Sequence, residues 1–264
     1  MSDIGKVYDF GKIAVGSGWG YKNSKNLNRL YYIHGGSGTY VHGGKEYKFK
    51  PDMLYFLPYT AKIMPKSNPE NPMLHSYADF ELIPPITAEA PIMFDPETDG
   101  MVHAACGVFL KGAELASLGE LNYFDMSNDL TGLCFSAVKF LALHISAAAG
   151  FSPVNDEVVI DALEYMLENL SKPITVHEVA KRYYITDDAI IRRFSKSMCT
   201  TPYAWLKNIR LKTARSLLDN GKSLSVAAAE VGYSDSSALL HAFRTPPAAA
   251  GKSHRETKPP RSGK

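Results

Sequence analysis

Cysteine is scarce in this chain: Cys106, Cys134 and Cys199 are the only three among 264 residues. Three is an odd number and none stands at a metal-like spacing, which argues against a disulfide framework or a cysteine zinc site. No His-x-His pair occurs either, so a histidine-rich metal cradle on one strand is not expected. The opening MSDIGKVYDFGK carries acids and glycines but no apolar core segment, so no secretory signal is expected. No apolar run approaches the ~20 residues of a membrane-spanning helix. From Arg244 onward there is no large apolar residue, so residues 245–264 are expected to be a disordered basic tail that caps no core. These absences together predict a cytoplasmic chain with no membrane partner, no metal and no cofactor.

Charge is also thin overall, at a formal +2, yet it is unevenly spread. Residues 1–153 hold 12 Lys and Arg against 15 Asp and Glu, a net of −3; residues 171–264 hold 17 against 7, a net of +10. A basic C-terminal half suits a polyanion and the acidic half another partner. Hydrophobic residues make up 45%, ample for a buried core.

The first hundred residues read as β structure. RLYYIHGGSGTYVHGGKEYKFKPDMLYFLPY alternates β-branched and aromatic runs with Gly-Gly pairs and Pro51-Asp52, which predicts short strands and hairpins closing into a sandwich or barrel. From about Gly107 the periodicity turns helical. In NDLTGLCFSAVKFLALHISAAAG, Leu130, Leu133, Ala137, Leu141 and His144 recur on one face, with Val138 and Ile145 widening it. Such a stripe packs on its own domain or on a second copy. GFSPVN is the natural linker, and from Val154 the chain is all helical.

Two stretches of the helical part repeat. TVHEVAKRYYITDDAIIRRF and SVAAAEVGYSDSSALLHAF place Ala180 and Ala228 six positions before Thr186 and Ser234, and end on Phe194 and Phe243. The offset grows from 48 to 49 between these landmarks, so the second unit carries one extra residue in SDSS. A small residue, a short turn and a second helix match the helix-turn-helix template. On the helix opened by Thr186 or Asp187, a 100° step puts Ile190 and Phe194 on one side. Asp188, Ala189, Arg192, Ser195 and Lys196 fall on the other, with Arg193 at the edge. An isolated basic helix reads as a solvated face; as second member of a helix-turn-helix it reads as a groove reader. Between the units, PYAWLKNIRLKTARSLLDN forms a strut that starts on a proline and stops at Gly221.

These motifs resemble the DNA-binding domain of AraC-type transcription factors: ITVHEVA, the T-x-x-x-I-x-R-x-F of Thr186 to Phe194, TPYAWL, IRLKTARSLL and EVGYSD. The N-terminal part is similar, more weakly, to the cupin-type sensing domain of that family, through YYIHGGSGTYVHGGKEYKFKPDMLYFLPY and LHSYADF. The resemblance implies an α+β chain: a cupin-like β-barrel at 1–107, a helical dimerisation segment at 108–150, a linker at 151–155, and an all-α double helix-turn-helix domain at 156–244. It implies DNA contacts through Asp188, Ala189, Ile191 and Arg192 in the first unit, joined by Lys196, and through Ser236, Ser237, Leu240 and His241 in the second. It places effector contacts, of a kind suited to a sugar, on His34, Met64, His75 and Tyr77. The implied protein is not an enzyme but a ligand-responsive regulator of carbohydrate-related genes, binding double-stranded DNA as a homodimer. Two departures stand out. His241 occupies a position that is often Arg, and the Ser-Pro and final helix that usually follow the second unit are replaced by the basic tail. The competing expectations are a cupin-type enzyme with a fused helical domain and a paralogue whose altered C-terminus impairs DNA binding.

Overall fold

A computed structural model describes residues 3–16, 27–60, 63–88, 90–123, 127–151 and 153–245, with side chains from Val7 onward; the expected tail therefore lies almost wholly outside the described residues. Eight strands lead: β1 (Asp3–Val15), β2 (Asn28–Gly35), β3 (Gly38–His42), β4 (Lys45–Lys48), β5 (Leu54–Leu57), β6 (Met64–Ser67), β7 (Met73–Ile83) and β8 (Ile92–Phe94). All ladders are antiparallel. Among the described residues they form two sheets, β1-β7-β2-β5-β8 and β4-β3-β6, rather than one closed ring. The β3–β4 hairpin turns on Gly43 and Gly44, both at positive φ (57° and 77°), the two-residue geometry that matches strand twist.

Alternate residues of a strand face opposite sides, and the larger sheet uses both of its faces. Leu30, Phe56, Ala78, Phe80 and Leu82 turn to the helices that follow. Tyr31, Ile33, Tyr55, Leu57 and Met73 turn inward and pack with Phe49. Central β7 is thus covered on both sides, which explains why MLHSYADFELI lacks the wet face of an edge strand.

Helix α1 (Gly100–Ser117) starts ahead of the Gly107 boundary because the Asp99 carboxylate accepts from the backbone N–H groups of Met101 and Val102. It lies against α2 (Asp129–Ala148), and the two touch at Gly112, where a Cβ would sit 2.3 Å from Cys134 Sγ. Contrary to the sequence expectation, α2 is long and apolar enough by length and composition to cross a membrane; half of that window is buried inside the fold, as in a core helix. Its anticipated stripe divides. Leu141, Val138 and Ile145 are buried in the core shared with the sheet and Ala137 is buried too, whereas Leu130 and Leu133 stay exposed.

The C-terminal part holds α3 (Glu157–Glu168), α4 (Val176–Arg182), α5 (Asp187–Met198), α6 (Pro202–Asp219), α7 (Leu224–Glu230) and α8 (Ser236–Arg244). The segment read as a linker is tied down: Pro153 bridges Ile86, and Val154 N–H donates to the Pro85 carbonyl at 2.8 Å. The α4–α5 unit shares a core with α3 and with Tyr8, Leu27 and Ile83 of the β domain. The α7–α8 unit has a smaller core of Ala214, Ala227, Ala228, Val231 and Leu239. One unit is seated on the β domain; the other hangs from α6.

Candidate nucleic-acid interface

Thr186 caps α5, its hydroxyl accepting from Ala189 N–H, and the acids behind it suit the positive end of the helix dipole. Asp187 is spoken for by His177 Nδ1 at 3.1 Å, which ties α5 to α4. Ile190 and Phe194 are fully buried, and Phe194 meets the Trp205 ring edge-on at 6.1 Å. Asp188, Arg192 and Lys196 stand exposed, with Ala189 and Ile191 half-buried beside them. Among the described residues neither Arg192 nor Lys196 has an ion-pair partner. Arg193 is different: its guanidinium grips both Asp156 oxygens, at 3.0 and 3.1 Å, locking α5 to the start of α3.

The second unit repeats the plan one residue late. Asp235 caps α8 with its carboxylate on Ala238 N–H, which places the inserted residue before the cap. Leu239 is fully buried, Ser236 is half-buried, and Ser237, Leu240 and His241 are exposed, Leu240 at 41%. Of the nine residues expected to contact DNA, six are exposed and three, Ala189, Ile191 and Ser236, are half-buried, all on two equivalent helices. Phe243 closes the unit under the Arg215 guanidinium, 5.0 Å from its ring centre.

Each turn needs a left-handed residue at the same place, Tyr184 (φ 55°) in the first unit and Gly232 (φ 77°) in the second. Gly232 also lies against the end of α3, where a Cβ would come 2.8 Å from the Leu170 carbonyl oxygen and 2.9 Å from that of Ser171. Arg210 of α6 donates to the Leu170 and Lys172 carbonyls, so the same short segment anchors both strut and turn. Arg210, Arg193 and Asp156 escaped the sequence reading because each acts through a distant backbone or side chain.

The four expected effector residues are not gathered in one place. His75 and Tyr77 share the inner face of β7, opposite Ile33 and Tyr31 of β2. His75 is buried, and burial with His34 nearby pulls its imidazole down to about 4, leaving it neutral near pH 7. Tyr77 donates to Asp9 Oδ1 at 3.0 Å. His34 sits at a register shift of β2 and bonds Ser76 Oγ at 2.9 Å, beside Tyr32, on the other face of the sheet. Met64 is 57% exposed on the smaller sheet.

A family described as a helix-turn-helix domain matches residues 179–246. Among solved structures, ToxT from Vibrio cholerae O395 is similar at 11% identity over 92% of this chain and 94% of that one, with a TM-score of 0.57. A 1.65 Å structure of Vibrio cholerae ToxT gives 0.58 at 11% identity, covering 92% and 95%. ToxT bound to (E)-4-(8-methylnaphthalen-1-yl)but-3-enoic acid gives 0.54 at 12% identity, covering 89% and 93%. A comparison with curated proteins finds no match. At such identities the likeness speaks for the fold, and the domain match for the helices. Residues 179–246 thus carry a helix-turn-helix domain, set behind a β domain in a chain whose fold is like that of ToxT.

Proposed function

We propose that the chain is an effector-responsive transcriptional regulator, not an enzyme, that binds double-stranded DNA in the cytoplasm as a homodimer. The division of α5 carries the reading: its apolar side is sealed in the core while Asp188, Arg192 and Lys196 face solvent. The 18 residues of α6 span roughly 27 Å at ~1.5 Å per residue. Successive major grooves on one face of DNA lie ~34 Å apart, so a strut of this length suits two readers on one duplex. Leu130 and Leu133, the latter 53% exposed, give α2 an apolar edge for a second copy. Nuclease footprinting tests both halves. The expected pattern is two neighbouring grooves protected per subunit and two such stretches per dimer, reduced to one stretch by Leu133→Glu. Protection of a single groove per subunit would overturn the double reader, and two stretches surviving Leu133→Glu would overturn this dimer edge.

The effector is placed against the inner face of β7, between the sheets. Neutral His75 and Tyr77 offer polar contacts of the kind a sugar uses, in keeping with control of carbohydrate-related genes. The flanking Tyr31, Ile33, Phe49 and Tyr55 favour a second class, an apolar molecule with one polar head, as is the acid bound to ToxT. A thermal-shift panel of sugars and aryl-alkenoic acids separates the two. The expected hit disappears in both His75→Ala and Tyr77→Phe, whereas a hit retained in both variants places the effector elsewhere.

A further inference from the structure

Strand β7 carries two acids at alternate positions, Asp79 and Glu81, on the side that bears His75 and Tyr77. Asp79 is paired, with Arg29 Nε 3.2 Å from its Oδ1. Glu81 is not paired in this way. It is 2% exposed and lies where the β domain meets α6. Its Oε1 accepts one long hydrogen bond, 3.4 Å from Trp205 Nε1, and its Oε2 has no hydrogen-bond partner among the described residues. A carboxylate buried with one oxygen unsatisfied is costly; a neutral carboxylic acid is far less so.

The groups around it come from every element packed there. Tyr8 of β1 is buried against α6, and burial with Glu81 nearby raises its phenol well above the usual tyrosine range. Tyr59, after β5, donates to the Met198 carbonyl at 2.6 Å and so holds the end of α5. Lys212 of α6 has its ammonium 5.6 Å from the centre of the Tyr8 ring and is the cation acting on Glu81. Lys6 of β1 is the register partner of Glu81. From α3, Val159, Leu163 and Met166 belong to the same apolar core as Ile83 and Trp205.

We propose that the Glu81–Trp205 contact is a proton-operated latch between the β domain and the strut joining the two helix-turn-helix units. The neutral acid seats α6 on the sheet; loss of its proton to water leaves a buried anion that the contact cannot satisfy, and the strut is released. Burial pushes the Glu81 carboxyl up to about 7 against Lys212 and Trp205, which pull it down. The sign follows from linkage: docking takes up a proton, is strongest below the ordinary glutamate range, and weakens as pH rises through about 7. Between pH 5 and pH 8 the docking constant is expected to fall by roughly a hundredfold at most.

The test uses the full chain with Trp19→Phe, which leaves Trp205 as the single indole. Its emission is expected to shift to the red between pH 6 and 8, with the radius of gyration from X-ray scattering rising over the same interval. Glu81→Gln, a neutral isostere, is expected to stay blue-shifted and compact throughout. Lys212→Gln is expected to move the midpoint upward, because it removes the charge that lowers Glu81, and this arm decides alone if Glu81→Gln does not fold. A Glu81→Gln protein that titrates like the parent, a Lys212→Gln midpoint that stays put, or an unchanged radius of gyration each overturns the latch. No arm contains DNA, so these outcomes are independent of the proposed DNA binding.

Discussion

Gly232→Ala is expected to unfold the second helix-turn-helix unit while the first stays folded. Two costs coincide at this position. An alanine at φ 77° is in the left-handed region, which costs an ordinary residue ~1–2 kcal/mol. Its Cβ would also come within 2.9 Å of two backbone oxygens, Leu170 and Ser171, which cannot swing aside like a side-chain tip. Their segment is held by Arg210 from the other side. A total of ~2–4 kcal/mol is expected, set against a unit whose core is three alanines, Val231 and Leu239. An alanine buries little more than one methyl, worth ~0.8 kcal/mol, so this core has little to spare. Hydrogen exchange in α7 and α8 should rise by two orders of magnitude or more, while α5 stays protected by the core it shares with the β domain. Tyr184→Gly is the mirror experiment at the matching position. Tyr184 is 98% exposed, so the change deletes no packing, and relief of its φ 55° is expected to stabilise the first unit by up to ~1 kcal/mol. Equal protection of α8 in the parent and in Gly232→Ala would refute the account of the turn.

The double unit was legible because it rests on local periodicity. Ala180 and Ala228 are buried as a small-residue packing site requires, and the extra residue anticipated in SDSS appears as a cap delayed to Asp235. Periodicity also found the apolar side of α2, yet it could not say which part of the stripe meets the sheet and which meets solvent. Leu133 and Ala137 lie one turn apart on the helix and end in different surroundings. Strand alternation correctly put His75 and Tyr77 on one face. The same alternation sets His34 on the side of Tyr32, opposite Ile33, but it could not say that β7 lies alongside and hence that His34 and His75 fall on different faces of one sheet. Glu81 was hidden for another reason. The signal was present, two acids alternating in an otherwise apolar strand, but its meaning depends on α6 arriving from more than a hundred residues away. Contacts between domains are not written in local pattern, and here they decide which polar groups matter.

Arg192→Ala is expected to cost ~1–3 kcal/mol of specific binding, a loss of roughly 5- to 150-fold, and to relax base preference at one position of the site. The argument turns on three basic residues that are close in sequence and differ in what they do. Arg193 is committed to Asp156, so its removal should loosen the α3–α5 contact; the pair is partly exposed to solvent, and only a small effect on stability is expected, with base preference kept. Lys196 is exposed one turn further along α5, where a point charge meets phosphate. Lys196→Ala should weaken all sequences alike and lower the salt slope by ~1. Arg192 alone combines exposure, no partner among the described residues and a planar fork that matches the two acceptors of guanine. Its counterpart flank on α8 offers Leu240 and His241, an apolar group and a single ring edge, so His241→Ala should cost less than Arg192→Ala. Discrimination is thus expected to reside in the unit seated on the β domain, with the hanging unit adding mainly affinity. Selection of binding sites from random duplexes measures this directly: a strongly preferred half-site that survives His241→Ala and collapses in Arg192→Ala is the expected outcome, and equal collapse in both would assign specificity to the two helices together.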